Sequence, residues 1–428
     1  MSVKPYSVVS LFAGAGGLDV GLEQAGFSTV AAVDHDPDCL RTLRQNQLAQ
    51  LSDGSGRSYL AQANLLLRGV EDLTLSDLRP ASASPTWVPD LMAGGPPCQP
   101  FSSSGKMLST DDPRGRLFEH FVRVAGLLKP KVILFENVRG LVTARGPSGE
   151  PGEVLRMVKS SFERIGYATN FALLNAADFG SPQRRIRCFL LATRCTALPE
   201  FPTPTHAECP GGGLFETLLP WVSLQDFLAT RPAPSFAEFV RPSAKLEALL
   251  RDTPGGSGLK SAGAREATRP GGHWGYRQGT FVADLRQPAR TVTGSASQDW
   301  LRLPDFSLRR LTLGECAGLQ GFPDGWQFAG PVASRFKQVG NAVPSIFGRV
   351  LGRAITTALA TSQRTRPESA PLPREFLSAV TYTKREQARN GASRVEVREK
   401  AQTLGAEIHK VKGYGSQKCA SQKGSASQ

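Results

Sequence analysis

Cys98 lies in Gly94-Gly95-Pro96-Pro97-Cys98-Gln99-Pro100-Phe101-Ser102, where two glycines and two prolines force a sharp, rigid exit from the apolar run Pro89-Asp90-Leu91-Met92-Ala93. A packed core cysteine needs no such setting; a thiol displayed at the end of a strand as a nucleophile does. A second landmark, Glu136-Asn137-Val138, follows another apolar run, Lys131-Val132-Ile133-Leu134-Phe135. A thiol and a carboxylic acid at the ends of two strands point to covalent catalysis with acid assistance. Arg184, Arg185 and Arg187 form a third cluster, and strand alternation sends Arg185 and Arg187 to one side, which favours a shared site over a solvated basic face.

A cofactor site is readable upstream. Ser10-Leu11-Phe12-Ala13-Gly14-Ala15-Gly16-Gly17-Leu18 follows an apolar strand and opens a helix, a tight turn where backbone N–H groups can approach a ligand closely. The dinucleotide frame GxGxxG, started at Gly14, puts Asp19 where the third glycine belongs. Pyrophosphate beside that carboxylate is unfavourable, so a cationic cofactor fits better than a nicotinamide one. Asp34, at the end of the next apolar run, is placed for ribose hydroxyls.

The elements needed to hold these groups follow from periodicity. Residues 5–194 alternate short apolar strands with amphipathic helices, the signature of an α/β sheet. The expected strands are Ser7–Phe12, Thr29–Asp34, Asp90–Ala93, Val132–Glu136, Asn170–Asn175 and Arg187–Ala192. The expected helices are Leu18–Ala25, Pro37–Asn46, Gly115–Leu128 and Glu153–Ile165. The turn-rich link Asp178–Gln183 predicts a hairpin of the last two strands at one sheet edge. From 195 to 307 the chain is rich in Pro and Gly, with arginines interleaved among Trp274, Tyr276, Phe281 and Trp300. That texture predicts an irregular second domain with a contact surface, on which Arg269, Arg277 and Arg286 are candidate contacts. A long helix, Pro344–Ala360, returns the chain to regular structure, and Cys316 falls on a helix with apolar neighbours, in the core. Residues 362–428 carry 13 Lys and Arg against 6 Asp and Glu and read as a basic, flexible tail with one helix at Thr383–Leu404.

Across 428 residues, 51 Lys and Arg outweigh 37 Asp and Glu, a formal net charge of +14 that points to a polyanionic partner. Seven cysteines lack framework spacing, which predicts a reducing compartment. Cys188, Cys195 and Cys209 near His206 contain no CxxC pair, so a zinc reading is disfavoured. No run is long and apolar enough to span a bilayer, and the chain reads as cytoplasmic.

Taken in order, Ser10–Leu18, Gly94–Ser102, Glu136–Val138, Gln183–Arg187, Leu311–Pro323 and Gln338–Pro344 resemble the conserved blocks of the DNA (cytosine-5)-methyltransferases, over about Val8 to Ala360. The resemblance implies an S-adenosylmethionine-dependent methyltransferase fold, a Rossmann-like mixed α/β sheet flanked by helices, with a smaller target-recognition domain. Its boundaries would be 1–194 for the catalytic domain, 195–307 for recognition and 308–361 for a return segment. It implies that Cys98 attacks C6 of a flipped-out cytosine, Glu136 meets N3, Arg185 and Arg187 orient the base, and Asn137 holds the nucleophile loop. Phe12, Gly14, Gly16, Gly17, Leu18, Asp34, Asn64, Pro97 and Asn341 would line the S-adenosyl-L-methionine pocket. Asn64 stands where the family carries an Asp for the adenine, keeping an oxygen acceptor without the charge. Gln99, Ser102, Ser104, Lys106 and Arg114 would lie on the mobile loop over DNA, and Thr291 matches a recurrent threonine of the recognition domain.

No metal is implied. The expected partner is double-stranded DNA, met by a monomer serving a restriction-modification system beside a cognate endonuclease. Two other readings are weaker. The tRNA-methylating branch carries Cys-Phe-Thr and a small recognition region, neither present here. A silent DNA-binding relative would have lost Cys98 or Glu136.

Overall fold

The computed structural model describes residues 5–51, 58–97, 117–194, 197–210, 218–259, 280–361 and 367–385. Its large sheet has seven strands: β1 (Tyr6–Leu11), β2 (Phe27–Asp34), β3 (Asn64–Leu67), β4 (Leu91–Gly94), β5 (Val132–Val138), β6 (Ala168–Asn175) and β7 (Ile186–Thr193). They run in the order β3-β2-β1-β4-β5-β7-β6. The first five are parallel, and β7 is antiparallel to both β5 and β6. The near-continuous apolar runs of β1, β4 and β5 are buried on both faces, as strands covered by helices on each side must be. Parallel pairing sends the loops after β1, β2, β4 and β5 to one end of the sheet, where ligands bind in open α/β folds.

The covering helices include α1 (Gly17–Gln24), α2 (Pro37–Leu48), α3 (Leu75–Leu78), α4 (Leu117–Leu128) and α5 (Glu153–Arg164). Asp36 caps α2 by accepting from the Asp38 N–H, with Pro37 in the first turn. Phe121 of α4, Phe135 of β5 and Phe162 of α5 meet edge to face, with ring centroids 5.6–6.2 Å apart.

Beyond the sheet come β8 (His206–Ala207), β9 (Leu219–Pro220), α6 (Leu224–Ala229), α7 (Ala244–Leu250), β10 (Ser257–Gly258), β11 (Phe281–Val282), β12 (Trp300–Arg302) and β13 (Leu308–Arg310). The chain then returns through α8 (Leu313–Leu319), α9 (Val332–Asn341) and α10 (Ser345–Ala360). Strands β10 to β13 make a small sheet over a core of Leu250, Val282, Trp300 and Leu308. That sheet extends to Arg310, past the expected boundary at 307. The segment also shares a larger core: Leu224, Val292 and Leu301 belong to the same buried cluster as Leu43, Leu319 and Trp326. Cys316 is buried there too.

Two expectations change. Strand β3 carries no strong apolar period, since its pattern is half-exposed, and the sequence reading passed over it. The stretch 362–428 is not uniformly a free tail. Ser369 Oγ accepts from the Thr169 N–H at 3.1 Å and donates to a Glu163 carboxylate oxygen at 2.6 Å, while the Ala370 N–H donates to Thr169 O at 2.8 Å. The edge strand β6 offers unpaired backbone groups, and this segment takes them. Residues 374–385 form a helix in a separate compact unit, upstream of most of the expected 383–404 helix; residues 386–404 lie outside the described residues.

Helices α1 and α10 touch backbone to backbone. A Cβ on Gly21 would lie 1.9 Å from Ser345 O and 2.8 Å from Gly348 Cα, and one on Gly348 would lie 2.4 Å from Leu18 O. No side-chain rotation relieves a clash with main chain. Gly21→Ala is therefore expected to cost about 2 kcal/mol or more, read as a lower urea midpoint; an unchanged midpoint would show that the helices can slide apart freely.

Candidate active site

The turn after β1 is held in a backbone conformation that side chains disfavour. Phe12 has φ of 55°, a bulky residue in the left-handed region, and Gly14 and Gly16 have φ of 56° and 86°. Two bonds fix it from β2: the Ala13 N–H donates to Val33 O at 3.0 Å, and the Gly14 N–H donates to Asp34 Oδ2 at 2.8 Å. The other oxygen of Asp34 accepts from the Asp36 N–H at 2.8 Å. Asp34 therefore braces the loop, and each oxygen keeps a further lone pair for a hydroxyl. A Cβ on Gly14 would meet nothing within 4 Å, so the space above the turn is open. On Gly17 it would sit 2.5 Å from Val343 O, so the start of α1 is pressed against the Gln338–Pro344 block. Leu18 is buried, while Asn64, Pro97 and Asn341 are exposed.

The carboxyl of Glu136 ends the buried part of β5. In register, Glu136 faces Phe189 and Val138 faces Arg187, so Glu136 and Arg187 are diagonal neighbours on one face. The Arg187 Nε lies 3.0 Å from Glu136 Oε1. Gly95 closes the other side: a Cβ there would lie 2.5 Å from Glu136 Oε2, so only glycine lets the Gly-Pro-Pro turn come this close. The Asn137 Nδ2 donates to Pro96 O at 3.1 Å, and Asn137 Oδ1 accepts from the Val138 N–H at 2.8 Å. The ends of β4 and β5 are thus pinned together one residue before Pro97. Burial pushes the Glu136 carboxyl above its usual range, and Arg187 and then Arg185 pull it back only in part.

Arg185 and Arg187, expected to act together on the base, have different partners. Arg185 is one of the largest fully buried side chains. It donates to Val292 O at 2.9 Å, Gly340 O at 2.7 Å and Ala342 O at 3.1 Å. Beside it Gln183 donates to Leu319 O and Gln320 Oε1 and accepts from the Val292 N–H, and Gln320 donates to Ala342 O. Thr291 donates to Arg184 O at 2.8 Å. Gly95, Gln183 and Gln320 went unassigned in the sequence reading. The only signal was their presence inside the quoted blocks, because their partners lie far along the chain. Arg286 pairs with Asp284 at 3.2 Å. Cys98, Gln99, Ser102, Ser104, Lys106 and Arg114, with Arg269 and Arg277, lie outside the described residues.

Asp19, in the first turn of α1, is fully buried. Burial pushes its carboxyl from the ordinary 3.8 up to about 7, Ser10 beside it pulls the other way, and Glu23 adds to the rise. A raised carboxyl binds its proton more tightly folded than unfolded, so this group costs stability as pH climbs from 3.8 through about 7. Asp19→Asn is accordingly expected to be more stable than the parent at pH 8, by at most about 4 kcal/mol, with the gap closing in acid. Urea unfolding at several pH values reads this; a pH-independent difference would contradict it. For Glu136, Arg187→Gln should raise the carboxyl further, moving the infrared band of the protonated acid to persist at higher pH. A fall would contradict the assigned pairing.

The chain is similar to known proteins in both sequence and fold. The family described as C-5 cytosine-specific DNA methylase matches residues 6–208 and 240–357. The chain is 30% identical to the type II methyltransferase M.XorII of Xanthomonas oryzae pv. oryzae, over 86% of this chain and 87% of that one. It is 31% identical to M.Eco47II of Escherichia coli, over 84% and 81%. Among solved structures, a prophage-encoded E. coli protein assigned as a DNA modification methyltransferase shares the fold at a TM-score of 0.60 and 20% identity, covering 83% of this chain and 99% of that one. Schizosaccharomyces pombe Dnmt2 does so at 0.53 and 17%, covering 83% and 98%. The chain belongs to the C-5 cytosine-specific DNA methylase family.

Proposed function

We propose that this chain methylates C5 of a cytosine flipped out of a specific duplex DNA sequence, with S-adenosyl-L-methionine as donor. The observation that carries the reading is the buried Glu136 carboxyl, held on the Arg187 guanidinium and against Gly95, a few residues along the chain from Cys98. An acid kept protonated above its usual range can give a proton to N3 of cytosine. The target atom is inside the base stack, so the nucleotide must leave the duplex to reach it.

The residues present fit the cofactor. The turn Phe12–Gly17 leaves open space over Gly14. Its backbone N–H groups and the first turn of α1 suit a carboxylate, and Asp34, Asn64 and Asn341 offer polar groups for ribose, adenine and the methionine end. When bound, the sulfonium supplies an electrophilic methyl group. In the chain's own part of the chemistry, the Cys98 thiolate adds to C6 as Glu136 protonates or hydrogen-bonds N3, which turns C5 into a nucleophile. Once C5 is methylated, its proton leaves and the S–C6 bond breaks, restoring the C5–C6 double bond and the thiolate. Arg187 orients Glu136 and balances its charge, Asn137 steadies the turn carrying Cys98, and Arg185 is a positioning residue behind them.

We assign recognition to the segment around β10–β13 and to Thr291, and a restriction-modification role with a cognate endonuclease is the setting that the relatives' names suggest. The monomer and the bacterial cytoplasm belong to the same reading; no helix among the described residues is long and apolar enough to cross a membrane. Bisulfite sequencing of DNA from a host expressing the protein should find 5-methylcytosine confined to one short motif. Cys98→Ala should abolish it while S-adenosylmethionine still binds by calorimetry. Soluble, cofactor-binding parent protein that leaves all cytosines unmodified would overturn the reading.

A further inference from the structure

We propose that Arg139 grips a backbone phosphate of the nucleotide whose base meets Glu136. This rests on DNA being the substrate. Arg139 opens the short 3-10 turn Arg139–Thr143 directly after β5, three residues past Glu136 and at the ligand-binding end of the sheet. Its starting point is rigid. Asn137 pins the preceding backbone through Pro96 O and the Val138 N–H, and Leu141 and Val142 bury the rest of the turn.

The guanidinium is half-buried, yet it makes no hydrogen bond or ion pair with any described residue. Other buried or half-buried arginines each have partners, although the Nε of Arg123, Arg185 and Arg309 makes no hydrogen bond with a described residue. Arg123 donates to Val70, Glu71 and Leu73 carbonyls, Arg185 to its three carbonyls, Arg187 sits on Glu136, and Arg309 forms a two-pronged pair with Glu315. Burial lowers the Arg139 pKa, and no carboxylate offsets that loss. A guanidinium that has given up part of its water without gaining a partner among the described residues is poised for an anion. Glu136 cannot serve, since Arg187 already holds it. A phosphate diester presents the paired oxygens that a guanidinium fork matches, and the flipped nucleotide brings its own phosphates to the rim where Arg139 stands.

The test uses the full-length protein and a duplex carrying the motif found by bisulfite sequencing. Single methylphosphonate linkages, which remove one charge each, are placed in turn at the phosphates flanking the target cytosine. The parent protein should lose about tenfold in affinity at one linkage. Arg139→Gln should show a similar loss on unmodified DNA and no further loss at that linkage. It should also flatten the slope of log Kd against log salt by about one. Arg139→Lys should recover part of the affinity, and all variants should keep the parent's S-adenosylmethionine affinity. Losses from variant and linkage that add in full would overturn the clamp. So would a parent protein indifferent to every linkage, a result that needs no variant to fold. A parent that methylates no duplex overturns the underlying function instead, and the two failures are thereby distinguished.

Discussion

The buried guanidinium of Arg185 is the constraint on which the rest of the site depends. A charge removed from water needs partners around it, and here they are the carbonyls of Val292, Gly340 and Ala342. Those carbonyls belong to three parts of the chain: the segment between β11 and β12, the end of α9 and the turn into α10. One side chain at the start of β7 thereby ties the sheet to both. Gln183 and Gln320 extend the network, bonding each other and the Val292, Leu319 and Ala342 backbone.

Arg185 also reaches the chemistry indirectly. With Arg187 it opposes the effect of burial on Glu136, and burial wins. The outcome is a buried carboxyl that holds its proton above the usual carboxylate range while paired with an arginine. Gly95 matters to this balance because its missing side chain lets main chain cover Glu136 Oε2 and keep water away. Asp34 plays a comparable structural part at the end of β2, where its carboxylate holds Gly14 and Asp36 in place.

Much of this was legible in the residues. Apolar runs placed six of the seven large-sheet strands to within a few residues, because a strand buried on both faces must be apolar throughout. Strand β3 escaped because it is only four residues long and none of them is fully buried. Strand alternation put Arg185 and Arg187 on one side but could not divide their tasks. That division rests on which residues stand opposite: Val138, paired with Arg187, brings it beside Glu136, whereas Val292 and Gly340 are more than a hundred positions from Arg185. The anchoring of Ser369 and Ala370 on β6 was equally invisible, being made by backbone and one hydroxyl in a stretch read by its charge.

The sequence by itself determined the reaction class, because thiol, acid, arginines and glycine turn occur as local blocks whose chemistry needs no distant partner to be read. It also determined the order of the strands in the chain and the polyanionic character of the partner. Only the tertiary structure decided which arginine holds the acid, which glycine covers it and which guanidinium is half-buried without a partner among the described residues. Those facts depend on distances between segments remote in the chain, and burial and pairing energies are set by such distances rather than by residue identity.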